Sequence, residues 1–304
     1  MAGPGQLDRE PEVGPLADGA LVEAALDWFA DHERDLPWRR TRDGWSILVS
    51  ELMLQQTQVA RVLVRWPEFL EQFPTPARCA QASPAEVIGA WAGLGYNRRA
   101  INLHRAASVI VEDHDGRVPD DLGDLLSLPG IGPYTARAVR VFAFCRDDGV
   151  VDTNVARILA RTANARLSAR TAQQLADAAV PPGEGWRWNQ LLFDVGATLC
   201  RPRDPKCPAC PFRSGCGWYR SGRPDPDPAT GSAGVSGRQS RFDGSDRQGR
   251  GRLVAALGRG PVAPDDLAVV MGWPDDGLRA RRVAATLVDD GLVECSVDGY
   301  RLPG

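Results

Sequence analysis

Four cysteines constrain this chain more than any other feature. Cys200, Cys207, Cys210 and Cys216 form a C-x6-C-x2-C-x5-C pattern. Four thiolates at such short intervals are what a tetrahedral metal centre or a cubane iron–sulfur cluster requires. A structural zinc usually takes two C-x2-C knuckles with a longer span between them, and here only Cys207 and Cys210 form such a knuckle. Two disulfides are the other alternative. Residues 1–20 are rich in Gly, Pro and acid with no apolar core, so no secretory segment is expected and a reducing compartment disfavours disulfides. The spacing therefore favours a 4Fe–4S cluster, with zinc as the competing reading. Cys79, Cys145 and Cys295 lie far apart in sequence and read as ordinary buried or half-buried thiols.

The rest of the chain reads as helical up to the cysteines. Residues 21–33, the stretch from Trp45 to Asp113, and residues 186–200 carry apolar side chains at helical spacing. Trp188, Leu191, Leu192, Val195 and Leu199 fall on one face of the last of these, a packed helix that would deliver Cys200 to the metal. Pro119-Asp120-Asp121 is expected to start another helix, with carboxylates in its first turn. No period-2 strand is evident before residue 290. Residues 1–20 are expected to be a disordered N-terminus, 21–217 one helical domain, and 218–251 a flexible linker of Gly, Pro, Ser, Arg and Asp. Residues 252–304 regain apolar periodicity as three short helices followed by a hairpin over Val293–Leu302, the order of a small winged-helix-like domain. No apolar run reaches the roughly 18 residues of a membrane span, so no membrane partner is expected. A net charge of −3 decides nothing about nucleic acid, since local patches outweigh the sum.

Three motifs carry chemistry. Residues 128–136, Leu-Pro-Gly-Ile-Gly-Pro-Tyr-Thr-Ala, join two helices through a glycine turn. Backbone N–H groups at Gly130, Gly132 and Thr135 would face an anion at a helix N-terminus, where one DNA phosphate fits. The alternative is a purely structural αα-hairpin. Asp152, before Thr153-Asn154-Val155, is a good N-cap; a fixed carboxylate there is expected to have a lowered pKa, to stay ionised, and to stabilise positive charge developing on a sugar. Glu51 has Ile47, Leu48 and Leu54 among its helical neighbours. A carboxyl on an apolar face is expected to hold its proton and can act as a general acid; the alternative is an ordinary edge glutamate. Together the pair resembles the division of acid and anion used when glycosidic bonds break through oxocarbenium-like states.

The order LPWR, SELMLQQTQV, GLGYNRRAINL, LPGIGPYTA, VVDTNVARI and then the cysteine loop resembles the MutY branch of the helix-hairpin-helix/Asp DNA glycosylases, over about residues 21 to 217. The resemblance implies a mainly α, helix-hairpin-helix glycosylase fold of two helical subdomains, one closed by the iron–sulfur loop. It implies removal of adenine mispaired with 8-oxoguanine or guanine in double-stranded DNA, by a monomer in the bacterial cytoplasm, associated with the nucleoid. Glu51 matches the family's catalytic acid, which protonates adenine N7 and then positions water. Asp152 matches the Asp that stabilises or traps the sugar cation, and Asn154 its polar helper. Tyr134 falls where endonuclease III has a Schiff-base lysine. Gln56 and Tyr96 match residues that wedge into the duplex. Trp38, Arg39 and Gln190 resemble adenine-pocket positions, with core packing as the alternative for the aromatics.

Lys206 is the only lysine in the chain. Strand cleavage by a glycosylase usually needs an amine that attacks C1′, so a monofunctional enzyme using water is expected. One departure from the family is plain: residues 252–304 leave no room for the Nudix-like domain that typical members carry. A helix over Asp276–Leu292 with Arg279, Arg281 and Arg282 is instead expected either to contact DNA or to form a solvated basic face. The rival functions are a thymine mismatch glycosylase, against which Glu51 in ELMLQQT argues, and a non-catalytic iron–sulfur module for DNA binding or redox sensing.

Overall fold

The computed structural model describes residues 16, 18–232 and 241–304. Residues 1–15 and 17 of the expected disordered N-terminus, and residues 233–240 of the expected linker, lie outside them. The helices, in chain order, are α1 (Gly19–His32), α2 (Gly44–Leu54), α3 (Val59–Gln72), α4 (Pro76–Ala80), α5 (Pro84–Ala90), α6 (Arg98–Asp113), α7 (Leu122–Ser127), α8 (Pro133–Phe144), α9 (Thr153–Ala163), α10 (Ala169–Ala178), α11 (Gly185–Thr198), α12 (Gly217–Arg220), α13 (Asp246–Leu257), α14 (Leu267–Met271) and α15 (Gly277–Asp289). The strands β1 (Glu294–Ser296) and β2 (Gly299–Arg301) pair antiparallel, Cys295 opposite Tyr300. Among the described residues no helix is long and apolar enough to cross a membrane.

The chain divides into two compact units. One holds the described residues of Met1–Asp35 and Arg140–Arg238, the other Leu36–Val139 and Gln239–Gly304. The first is built on α9 and α11. Their apolar faces, with Phe29 of α1, Leu175 of α10 and Phe212 of the cysteine loop, form one core that includes Leu159, Trp188, Leu192 and Val195. The α11 face read from the sequence packs as expected, and Trp188 meets the ring of Phe212 edge-on at 5.8 Å. Gly196 lets α11 come close to Asn154: a Cβ at Gly196 would stand 2.5 Å from the Asn154 Cβ, too near for any side chain.

In the second unit, α2, α3, α5 and α6 bury Trp45, Leu48, Leu52, Met53, Phe69, Trp91, Leu103 and Ile110. Phe69 packs edge-on against Trp91 at 5.9 Å. The start of α7 lies later than expected: Asp121 is the cap rather than a first-turn residue, its carboxylate accepting from the Gly123 and Asp124 amides. An Asp that can satisfy those otherwise orphaned amides is favoured just outside the helix.

Among its described residues, the segment expected to be a flexible linker over 218–251 is partly packed instead. Trp218 and Ala229 are buried, Asp227 pairs with Arg161 at 2.6 Å, and the Leu167 amide donates to Ser232 Oγ at 3.1 Å. The α13 helix begins at Asp246, capped by Ser245, ahead of the boundary expected at 252. Gly, Ser and Asp suggest mobility by composition, yet here Asp227 and Ser232 bond to Arg161 and Leu167, partners distant in sequence, while Ser245 caps α13 locally.

After residue 245 the order of three helices and a hairpin matches the expectation. Leu253, Leu257, Leu267, Met271, Val283, Leu287 and Leu292 form one core. Gly249 sits beneath Trp273, where a Cβ would meet the indole at 2.1 Å.

Candidate active site and cysteine loop

In the second unit, Glu51 lies on α2 among a run of buried residues and is itself 4% exposed. The hydroxyl of Tyr134, on the first turn of α8, donates to Glu51 Oε2 at 3.1 Å. One residue on, Thr135 is buried and its hydroxyl accepts from Gln55 Nε2 at 3.0 Å. These two bonds tie the end of α2 to the hairpin between α7 and α8. The Thr135 hydroxyl is thereby engaged with Gln55, and the group of Thr135 expected to face an anion is its backbone amide.

The hairpin turn has the geometry that its glycines suggest. Gly130 has φ +77°, and its α-carbon lies so close to Asn102 that a Cβ would stand 2.5 Å from the Asn102 side chain. A Cβ at Gly132 would meet nothing within 4 Å, so that backbone is open. The Ala136 amide closes on the Gly132 carbonyl at 2.9 Å. The amides before it belong to the set that a helix leaves without intrahelical partners.

Gln56 and Tyr96 both have positive φ, +55° and +49°, and both are exposed. Non-glycine residues held there mark turns fixed by their surroundings. Arg99 does the fixing. Its guanidinium donates to the carbonyls of Leu52 (2.6 Å), Met53 (2.9 Å) and Gln55 (2.5 Å) on one side, and to Gly95 O (2.9 Å) and Thr57 Oγ1 (3.0 Å) on the other. It also stacks on Trp91 and Tyr96, with centroids at 5.3 and 5.6 Å. Burial pushes its pKa down to about 10, and it still carries its charge at neutral pH. The sequence motifs did not single this residue out; its only signal is its place three positions after Tyr96. Trp38 and Arg39 form a short 3-10 turn and are 5% and 6% exposed, Trp38 meeting Trp66 edge-on at 6.1 Å.

In the first unit, Asp152 caps α9. Its Oδ1 accepts from the Asn154 and Val155 amides at 2.8 and 2.7 Å, and its Oδ2 accepts from Asn154 Nδ2 at 2.9 Å. Asn154 Oδ1 in turn accepts from Arg157 Nη2 at 2.8 Å. The cap is as expected, but the expected low pKa is not. Burial outweighs the three hydrogen bonds and the nearby Arg157 charge, and it holds the Asp152 carboxyl above the usual carboxylate range. Gln190 is buried on α11 of this unit.

Two buried arginines, a turn apart on α9, grip Cys200. Arg157 Nε donates to its carbonyl at 2.6 Å, and Arg161 Nη1 donates to its Sγ at 3.3 Å. Cys216 Sγ faces the Arg161 carbonyl at 3.4 Å. The Arg161 guanidinium lies over the Trp218 ring at 4.6 Å. All four loop cysteines are free thiols. Burial pushes the Cys210 thiol up to about 12, and the neighbouring Cys200, Cys216 and Cys207 add to it, so the four share one electrostatic environment. Among the described residues no group of three or more His, Cys, Asp or Glu side chains is close enough to hold a metal ion. Lys206 is exposed beside this loop.

On α15, Arg279 and Arg282 bond to Asp246 at 2.7 and 2.8 Å, and Arg279 also stacks on Trp273 at 4.1 Å. Two of the three arginines read as a basic face thus hold α13 against α15.

Residues 49–182 match the family described as HhH-GPD superfamily base excision DNA repair protein. The chain is 43% identical over 308 aligned positions to an adenine DNA glycosylase of Mycobacterium tuberculosis (strain ATCC 25618 / H37Rv), covering 97% of each protein. It is 43% identical over 281 positions to an adenine DNA glycosylase of Mycolicibacterium smegmatis, covering 90% of this chain and 92% of that one. Among solved structures, a thermostable thymine-DNA glycosylase aligns with a TM-score of 0.62 and 31% identity, over 66% of this chain and 96% of that one.

Proposed function

The chain belongs to the adenine DNA glycosylase family, and we propose that Glu51 and Asp152 carry its chemistry. It is a monofunctional DNA glycosylase of base excision repair that hydrolyses the N-glycosidic bond of adenine. Its substrate is adenine opposite 8-oxoguanine or guanine in duplex DNA, and it acts as a monomer on the bacterial nucleoid. The observation that carries the reading is the buried Glu51 carboxyl bonded to the hairpin residue Tyr134 at 3.1 Å. It sets a proton donor beside the turn whose open amides suit a phosphate.

The reaction divides between the two carboxyls. Glu51 gives its proton to N7 of the extruded adenine, and the C1′–N9 bond breaks with its electron pair going to the base. Asp152, as the anion, stabilises the sugar cation, helped by Asn154, which Arg157 orients. Water adds to C1′ and loses a proton to the Glu51 carboxylate, which restores the acid and leaves an abasic site. Gly130, Gly132 and the Thr135 amide hold the phosphate, Gln56 and Tyr96 enter the duplex, and Trp38, Arg39 and Gln190 contact the expelled base.

Cys200, Cys207, Cys210 and Cys216 hold a 4Fe–4S cluster. The donor set fits: four free thiols share one electrostatic environment, with Arg161 donating to one of them. When bound, the cluster cross-links the loop that Arg157 and Arg161 attach to α9.

Measuring adenine release by the native chain and by Glu51→Gln tests the proposal. The variant should be at least ~100-fold slower, the scale of a general acid, with duplex binding retained. Near-native turnover would sink the assignment.

A further inference from the structure

Arg99 stands where a helix least favours a cation. It lies in the first turn of α6, at the positive end of that helix's dipole, and it is 8% exposed. Its charge acts on other elements. The carbonyls of Leu52, Met53 and Gln55 that accept from it lie at the C-terminal end of α2. There a helix leaves carbonyls without partners, and the dipole favours a cation. The other nitrogen of the guanidinium donates to Gly95 O and to Thr57 Oγ1. The Thr57 hydroxyl in turn donates to Leu94 O at 3.3 Å. One side chain thus spans two turns that α3, α4 and α5 separate along the chain.

Each turn carries a left-handed residue, Gln56 in one and Tyr96 in the other. A non-glycine residue leaves that conformation unless its surroundings hold it. Gln55 and Gly95 directly precede these two residues, and Arg99 holds the carbonyls of both. The same two helices also reach the phosphate turn. Gln55 Nε2 donates to Thr135, and Asn102, one helical turn beyond Arg99 on α6, packs against Gly130. The two turns are therefore fixed to each other and to the hairpin before any DNA arrives.

We propose that Arg99 is a positioning residue for base extrusion, which holds the Gln56 and Tyr96 turns as one preset element so that both side chains enter the duplex together. The proposal rests on the reading of Gln56 and Tyr96 as duplex-entering residues and names the step that their bracing serves. Unstacking a duplex costs free energy, and loops that must first be ordered add their entropy to that barrier. Turns held in place beforehand add none. Arg99 should therefore govern the rate of unstacking and leave the encounter with DNA unchanged.

The test uses full-length protein and a duplex with adenine opposite guanine, the adenine on a 2′-fluoro sugar and 2-aminopurine beside it. Fluorine at C2′ disfavours the sugar cation, so the base stays attached, and 2-aminopurine brightens when it is unstacked. Arg99→Lys keeps the charge but replaces a five-donor fork with one ammonium that cannot span both turns. It should leave the second-order association rate within about twofold and slow the first-order brightening about tenfold, the scale of ordering two side chains. In the free variant, amide hydrogen exchange should speed up at both turns, about tenfold at each. A first-order rate does not depend on how much protein is folded, so mere loss of fold would lower the amplitude and not the rate. An unchanged brightening rate would overturn the proposal. So would faster exchange at one turn alone, or a loss confined to association. If Arg99→Lys does not fold, Thr57→Val removes the oxygen that links Arg99 to Leu94 and should slow brightening about threefold, the scale of one hydrogen bond. An unchanged rate there would overturn it equally. Native-rate brightening in Gln56→Ala and Tyr96→Ala would count against their entry into the duplex, whereas native-rate brightening in Arg99→Lys alone removes the role given to Arg99. Failure to release adenine from an ordinary mispair would count against the glycosylase reading alone, because nothing is hydrolysed in this experiment.

Discussion

The Tyr134 hydroxyl donates to Glu51 Oε2 across 3.1 Å, joining the first turn of one helix to the buried carboxyl of another, 83 positions apart in sequence. Tyrosine here does for the acid what it cannot do for the sugar: it orients the carboxyl without offering an amine. Tyr134→Phe should slow adenine release by about tenfold, since a hydrogen bond to an ionisable group contributes roughly 1.5–3 kcal/mol and only part of it bears on the transition state. Thermal stability should fall by only a few degrees, the share of the bond that serves the folded ground state. Single-turnover rates and melting curves check this, and an unaltered rate would leave Tyr134 a structural residue.

Asp152 gives a prediction in pH. Burial raises its carboxyl above the usual range, while the reaction needs the anion. Adenine release should therefore rise with pH through that raised pKa, an acid limb that Asp152→Asn should abolish along with at least ~100-fold of rate. Stability should move the other way. A raised carboxyl contributes most when protonated, below its unfolded pKa, and the contribution is lost as pH rises through the folded pKa. Asn is an equally good N-cap without the charge. At neutral pH, Asp152→Asn should melt no lower than the native chain. Lost activity together with a much lower melting temperature would point to the cap alone.

The strand should remain intact after base release. An iminium at C1′ needs a nucleophilic amine, and Tyr134 offers a phenol where an amine would stand. Lys206, the one lysine, is exposed beside the cysteine loop, and arginine stays protonated. Borohydride should trap no protein–DNA adduct, and the abasic product should break only after hot alkali. A strong adduct with the native chain would show that some other amine reaches the sugar.

Protein purified without oxygen should be brown, absorb broadly near ~400 nm and carry about four irons per chain, as four thiolates on a cubane require. Stoichiometric zinc without iron would restore the alternative.

Much of this was legible in the sequence because it is local. The α9 cap at Asp152, the glycine turn at Gly130 and the apolar face of α11 each declare themselves within a few positions. What the sequence hid depends on distance along the chain. Arg99 bonds to carbonyls more than forty positions away, and Arg247 reaches Tyr96 across 151. Periodicity carries no trace of such contacts. The raised Asp152 pKa is hidden for the same reason: its capping bonds are local and visible, while the burial that outweighs them comes from the fold. Arg279 and Arg282 looked like a basic face until Asp246 was found between them.

The central claim is a buried acid and a capped anion acting on adenine, and base release from defined mispairs tests it most directly. Duplexes carrying adenine opposite 8-oxoguanine, adenine opposite guanine, and thymine opposite guanine are incubated with the native chain, and the freed base is identified before and after alkali. Free adenine from the first two, intact thymine in the third, and strand breaks only after alkali are expected. Release of thymine, or no release of adenine despite duplex binding, would contradict it.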